Sequence, residues 1–321
     1  MDLWDEMQGT MDAALIKKIA IITMFIDHAT LSFLEVARAA NGQRLMYVIP
    51  HGELLDEIGR GIGRLAFPVF CFLLVEGFIH TRSRVKYLGR LIVFALVSAV
   101  PFYFLVFPES QKRHGDTLFT LAAGFALIWC VDTLARLLPL RWRPVIYGSQ
   151  APAKTGDKAS AGKTDLSGME ENLSEMQEDP LGMEEELPGT GAEHPRDVPM
   201  IRLPAWADYM AVRILLFIAG SAAAAYAACR LAKWGGFDYS YGGVLCILIL
   251  YLLYRVRSLS IPAAWAWLTY YNHNELLAIT GFGLIWCYNG KRGKQNKYFF
   301  YLFYPGHLLL LYLIRKAIWG I

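Results

Sequence analysis

An aspartate and a histidine stand side by side at Asp27 and His28, in the middle of the apolar run IITMFIDHATLSF. A second buried-looking imidazole, His307, interrupts YPGHLLLLYLI, and Arg60 and Arg64 open GRGIGRLAFPVFCFLLVEGFIHTR, a stretch that closes on Glu76 and His80. Imidazole titrates near neutrality and is suited to take and return protons. A guanidinium can hold developing negative charge. Ionisable groups at membrane depth cost about 2.5 kcal/mol or more and face a bundle interior, a partner or a wet cavity. Bland readings stand beside the chemical one: a buried knot of Asp27-His28 with Arg64 or another helix, headgroup contacts for Arg60 and Arg64, and a helix-surface pair for Glu76 and His80.

These residues need helices to position them. Asp27 follows Lys17 by ten residues, about 15 Å of helix, close to the midplane of a hydrocarbon layer about 30 Å thick. Thr23, Asp27 and Thr30 share one stripe of that helix, and His28, Ser32 and Glu35 share the next. Neighbouring helical residues point about 100° apart, so Asp27 is poorly placed to orient His28 and is expected to pair with His307 or with an arginine of another span. The first and last helices are therefore expected to meet.

The composition supports that setting. Of 321 residues, 55% are hydrophobic and 14% aromatic, beyond the roughly 45–50% apolar share of soluble domains. Stretches of about 20 apolar residues recur along the chain, which predicts an all-α polytopic transmembrane bundle rather than a barrel. Eight to nine spans are expected, near 15–37, 61–80, 86–107, 117–138, 207–229, 241–257, 260–271, 274–289 and 298–318, with 260–271 either spanning or re-entrant. Pro68 is expected to bend the second span, Gly59, Gly61, Gly63 and Gly77 to allow close helix approach, and Pro305-Gly306 to put a flexible break in the last.

One segment differs in kind. Residues 149–199 hold twelve Asp/Glu against four Lys/Arg, a net charge of −8, and such a stretch buries too little apolar surface to fold alone. It divides the chain into an N-terminal membrane part, 1–148, a disordered acidic loop, 149–199, and a C-terminal membrane part, 200–321. The whole chain is +3, so the membrane body carries the positive excess. Its clusters adjoin spans and favour one side, which the positive-inside tendency makes cytoplasmic, together with the N-terminus and the acidic loop. Topology accounts for these clusters without nucleic acid. The five cysteines lie in apolar runs without metal or disulfide spacing. Lys17-Lys18 followed by an apolar stretch loosely imitates a cleavable signal, against which Asp27-His28 argues.

Six ordered stretches carry a resemblance. IAIITMFIDHAT, IGRLAFPVFCFLLVEGFIHT, KYLGRLIVFALVSAVPF, LFTLAAGF, YNGKRG and KYFFYLFYPGHLLLLYLI resemble the successive signatures of the TraX family, typified by the membrane enzyme that N-acetylates F-type conjugative pilin. The likeness covers about 17–125 and 275–315. It departs from the family pattern at Asp116, where an Asn is common. The resemblance implies acyl transfer, with acetyl-CoA as co-substrate and no metal, to an amine or hydroxyl of a peptide, pilin-like protein or envelope glycan. It also implies a bilayer setting, the bacterial inner membrane.

On that reading His28 and His307 are the candidate bases and Asp27 their electrostatic partner. Arg64, Tyr304 or a backbone N–H near Pro305 are candidate oxyanion donors. A basic mouth of Arg82, Arg84, Lys86, Arg90, Lys291 and Arg292 suits the phosphates of CoA. Arg60, Glu76, His80 and Asn289 are further cavity candidates. Neither a dinucleotide or Walker phosphate loop nor a nucleophile elbow is present. Two other classes fit the same mid-membrane charges: a proton-coupled transporter, which should not bind CoA, and a scaffold whose acidic loop recruits a partner.

Overall fold

The first helix begins at an aspartate. Asp12 accepts the Leu15 N–H at 2.8 Å and caps α1, Ala13–Thr30, satisfying one of the donors that a helix start leaves open. The computed structural model describes residues 9–106, 115–138, 210–294 and 297–320; the acidic segment lies outside them. Beyond Thr30 the chain widens into a π turn, Leu31–Val36, a feature frequent beside functional sites. It starts three residues after His28.

The second apolar stretch is two helices in line, α2 (Gly52–Gly63) and α3 (Ala66–His80). Pro68 explains the division. A proline has no N–H for the carbonyl four residues back and its ring crowds that carbonyl, here Arg64. The chain bridges Arg64 and Leu65 with tighter bonds, Arg64 N–H to Gly61 and Leu65 N–H to Ile62. Helix therefore starts at residue 52 rather than at 61. Proline had a different effect in the last helix: α10 runs unbroken over Lys297–Trp319 through Pro305 and Gly306, so the expected flexible break is absent there. Pro305 withdraws a donor, leaving a carbonyl and no free N–H, which removes the backbone N–H near Pro305 as an oxyanion donor.

The remaining elements are α4 (Arg84–Val106), α5 (Thr117–Leu137), α6 (Met210–Trp234), α7 (Ser240–Leu252), α8 (Arg257–Tyr271) and, after a 3-10 turn at His273–Ala278, α9 (Ile279–Trp286). The described residues on both sides of the acidic segment belong to one compact helical unit. Among the described residues no strand is formed. Among the described residues, five stretches qualify by length and composition together as membrane crossings: Ala13–Val36, Gly52–His80, Arg84–Val106, Thr117–Leu137 and Met210–Trp234. With 13, 15 and 8 residues, α7, α8 and α9 reach only about 20, 22 and 12 Å, short of a hydrocarbon layer of about 30 Å. The membrane bundle is thus established and the number of eight to nine spans is not.

α3, α5 and α7 share one apolar core. Phe78 packs edge-on against Phe125 and Tyr251, and Gly124 lets Ile247 approach the backbone of α5. A second apolar cluster joins α4 to α10 through Phe102, Leu105, Leu308 and Leu311. Arg315 completes that joint: fully buried, it donates to the carbonyls of Leu105 at 2.5 Å and Phe104 at 2.6 Å, at the carbonyl end of α4 where the helix dipole favours a cation.

Links between element ends sort into two ends of the bundle. At one, Met11 bridges to Tyr288, Asn289 N–H donates to Met11, Arg257 donates to the Tyr288 carbonyl and the Tyr254 hydroxyl donates to Glu76. Gly290 and Gly293 there take positive φ, 77° and 69°, and the Asn289 side chain accepts Lys291 N–H, which accounts for the residue types in YNGKRG. At the other end Gly115 bridges to Phe237 and Arg315 meets α4.

The approach of α1 to α2 rests on two glycines four apart. A Cβ at Gly63 would fall onto the side chain of Asp27, and one at Gly59 onto that of Thr30. By contrast a Cβ at Gly89 meets nothing within 4 Å. Gly63→Ala should lower unfolding free energy in mixed micelles by about 1–3 kcal/mol through overpacking, whereas Gly89→Ala should be neutral or gain up to about 1 kcal/mol from helix propensity. Equal effects of the two substitutions would refute this account of the α1–α2 contact.

Candidate functional site

The first and last helices meet at two imidazoles. His28 Nδ1 lies 2.8 Å from His307 Nε2, both residues are buried, and their rings stack 14° from parallel at 5.1 Å. The other nitrogen of His307, Nδ1, is 2.7 Å from the Phe303 carbonyl one turn back. A carbonyl only accepts, so Nδ1 of His307 carries a hydrogen and, in the neutral ring, Nε2 is a lone pair. That lone pair must accept from His28 Nδ1–H. The chain of bonds thereby fixes both tautomers and leaves the His28 lone pair on Nε2, which makes no hydrogen bond among the described residues. Phe303 stacks on His307 at 4.7 Å, and Tyr304 presents its edge to both imidazoles.

Asp27 takes the arginine alternative, not His307. Arg60 reaches its carboxylate at 2.8 Å and that of Glu35 at 3.1 Å. The glycines flanking Arg60 bring α2 close enough for this. Arg64, released from regular helix at the Pro68 break, meets Glu275 at 2.6 Å; Glu275, 1% exposed, stands in the 3-10 turn before α9. Gly281 admits the Leu65 carbonyl at this crossing.

A third group of polar residues lies at the end of α5. Gly115 N–H donates to the Gly236 carbonyl, tying the 235–239 loop to the start of α5. Asp116 caps α5, accepting Phe119 N–H, and also accepts the Ser98 hydroxyl. Asn and Asp are equivalent caps, so the departure at this position preserves the role. Thr117 donates to Asp238 at 2.8 Å. Burial pushes the Asp238 carboxyl above the ordinary range. Tyr304 Oη is buried beside Thr117 and within electrostatic reach of Asp116 and Asp238. Among the described residues no group of three or more metal-type ligands is placed to hold an ion.

The other candidates stand at the bundle end marked by Met11 and Tyr288. Ala13 N–H donates to the Lys291 carbonyl, and fifteen residues of α1 separate Ala13 from His28, about 22 Å. Arg84 is committed to Asp132 at 2.6 Å, which Arg136 and Tyr251 also share, and covers the Phe78 ring; the structure gives it a packing role there. Arg90 lies over the Tyr87 ring, Lys86 is exposed, and Arg82, Lys291 and Arg292 line the same end. Glu76 accepts from Tyr254 and lies 3.3 Å from His80, so this pair is separate from the imidazole stack. Asp238, Glu275 and Arg315 were not singled out by sequence, and Asp116 only as a departure from the family pattern. The three acids stand between apolar or Gly-aromatic runs, the same signal that drew attention to Asp27.

Residues 12–142 and 207–315 match the family model described as TraX protein. The chain belongs to the TraX family. Among its relatives is the probable fimbrial assembly protein FimC, serogroup H1, of Dichelobacter nodosus, 37% identical over 123 residues, 38% of this chain. The match spans 44% of that relative's length. No solved structure matches.

Removing one member of a buried ion pair leaves a charge without compensation, which costs about 3–5 kcal/mol, whereas replacing both by apolar groups is near neutral. Glu275→Gln should therefore destabilise this TraX-family chain in mixed micelles far more than the double change Arg64→Met with Glu275→Leu. A double variant as unstable as the sum of its single changes would count against the pairing.

Proposed function

We propose that this chain is an integral-membrane acyltransferase that moves an acetyl group from acetyl-CoA to an amine or hydroxyl acceptor at or across the membrane. The observation that carries the reading is the His28–His307 pair, because its bonds leave one defined lone pair, His28 Nε2, unengaged at the centre of a TraX-family fold. His28 Nε2 takes the proton from the attacking acceptor atom. His307 holds the resulting imidazolium through its own Nε2 and its anchor on the Phe303 carbonyl, so charge is shared over two rings. The Tyr304 ring lies against both imidazoles, and its hydroxyl, turned from Thr117, suits the oxyanion of the tetrahedral species. His28 then returns the proton to the departing thiolate.

Arg64, held by Glu275, supplies a fixed positive field rather than a mobile donor. Arg60 is likewise held in place, by Asp27 and Glu35. The bundle end carrying Arg82, Lys86, Arg90, Lys291 and Arg292 is the proposed entry for the CoA phosphates, and by the positive-inside tendency it is cytoplasmic in the bacterial inner membrane. About 22 Å of α1 separates that end from His28, a distance for the extended arm of the donor to cover. The fimbrial assembly relative supports an acceptor on a protein destined for a surface fibre.

CoA release by the purified protein in lipid nanodiscs, with acetyl-CoA and cell-envelope extract, tests the reading. His28→Ala should lower the rate about 10²–10⁴-fold, the usual contribution of a positioned base. His307→Gln, which can both accept from His28 and donate to Phe303, should keep more activity than His307→Ala. Turnover in His28→Ala at the wild-type rate, or no release by the unaltered protein, would overturn the proposal.

A further inference from the structure

Arg315 lies in the apolar joint of α4 and α10, fully buried, with no carboxylate beside it among the described residues. Its Nη1 and Nη2 donate to the carbonyls of Leu105 and Phe104, and Nη1 also lies 3.5 Å from the Ser32 hydroxyl. Stability alone does not account for a guanidinium here. Burying a cation costs free energy that an apolar side chain of similar volume would not. What the guanidinium adds is direction: two donors in a rigid fork, set on two successive carbonyls, admit one height of α10 against α4. The packing around it has no such preference. Phe102 and Leu105 against Leu308 and Leu311, and the ring contacts Phe25–Phe303 at 6.5 Å and Phe33–Trp319 at 5.8 Å, are non-directional.

The height of α10 matters because of what else the same face carries. His307, Leu311 and Arg315 stand four residues apart, on one stripe of α10. Ser32 follows His28 by four residues, in the π turn that continues α1. One guanidinium therefore touches α4 and the π turn while standing on the helix that holds His307. A slip of one turn along α4 would carry His307 about 5.4 Å, and the bond it makes with His28 spans 2.8 Å. We infer that Arg315 is a positioning residue for the imidazole pair: by docking α10 on the last carbonyls of α4 it sets the height at which His307 Nε2 accepts from His28. It acts through His307 and touches no reacting atom. Its part in catalysis rests on the acyltransferase reading, and its part in holding the pair together does not.

Two readouts on the full chain in nanodiscs test this. Nitrogen NMR of histidine-labelled protein, assigned with His28→Ala and His307→Ala, reports which ring nitrogen carries the hydrogen; Arg315→Met should move both imidazoles away from the Nδ1–H form that the pair imposes. Acetyl transfer from labelled acetyl-CoA to envelope extract should fall about 10–100-fold at saturating substrates, as for a displaced catalytic group, while the acetyl-CoA concentration for half-maximal rate stays near that of the parent. In a His307→Ala background the same substitution should have little further effect, because the two changes break one device. Arg315→Lys, a cation without the fork, should recover part of the rate. Ring signals unchanged in Arg315→Met, or an equal loss of rate in both backgrounds, as a loss of folded protein alone would give, overturns the inference and leaves the acyltransferase reading standing. If Arg315→Met does not fold, Arg315→Lys is put through the same comparison with the same criteria. If the unaltered protein transfers no acetyl group, the acyltransferase reading falls and the ring signals alone decide whether Arg315 holds the pair.

Discussion

A charge inside an apolar bundle must be answered by a group from another element, and most of the polar architecture of this protein follows from that requirement. Arg60 answers Asp27 and Glu35 across the α1–α2 contact, Arg64 answers Glu275 across α2 and the turn before α9, and Arg84 with Arg136 answers Asp132. Each is worth little as a surface pair, but within the bundle the alternative to pairing is an uncompensated buried charge. These contacts therefore specify which helices are neighbours. Gly59 and Gly63 are the backbone half of the same device, since a guanidinium can reach Asp27 only if α2 lies against α1 without intervening side chains.

Polar groups at the two bundle ends do different things. At the end with Met11 and Tyr288, carboxylates are saturated: Asp132 by two arginines and a tyrosine, Glu76 by a tyrosine beside His80. What stays accessible there is basic. Around Asp116 and Asp238 the balance is reversed, with acids held by hydroxyls and buried donors and acceptors left open. The imidazole pair lies between the two regimes, about 22 Å of helix from the basic end.

Much of this was legible in the sequence because depth makes rare residues conspicuous. Asp27, His28, Arg64 and His307 stand out against apolar runs, and the 100° offset between Asp27 and His28 was enough to expect that the first and last helices meet. Glu275 and Asp238 were obscured because they sit in short turns, where an acid is unremarkable until the fold shows the turn to be enclosed. Pro68 and Pro305 illustrate a limit of local rules. Both remove a helical donor, yet only Pro68, at the first turn after Arg64, coincides with a change of helix, whereas packing of Leu308 and Leu311 on α4 carries α10 through Pro305. Span length was equally hard to read, since α7 and α8, with 13 and 15 residues, fall short of a hydrocarbon layer of about 30 Å although their runs are apolar.

The choice of a second imidazole, rather than a carboxylate, as the partner of His28 has a physical basis. A carboxylate fixing the tautomer would itself be a buried charge and would need a further cation beside it. His307 performs the same orientation while neutral, because the Phe303 carbonyl supplies the acceptor that sets its tautomer. The resting pair thus adds no net charge to the apolar interior. In the proposed reaction positive charge arises only when His28 takes a proton, and it arises on two stacked rings. A base built this way is uncharged while waiting, so an apolar interior carries charge only during the proposed proton transfer, when the second ring shares it.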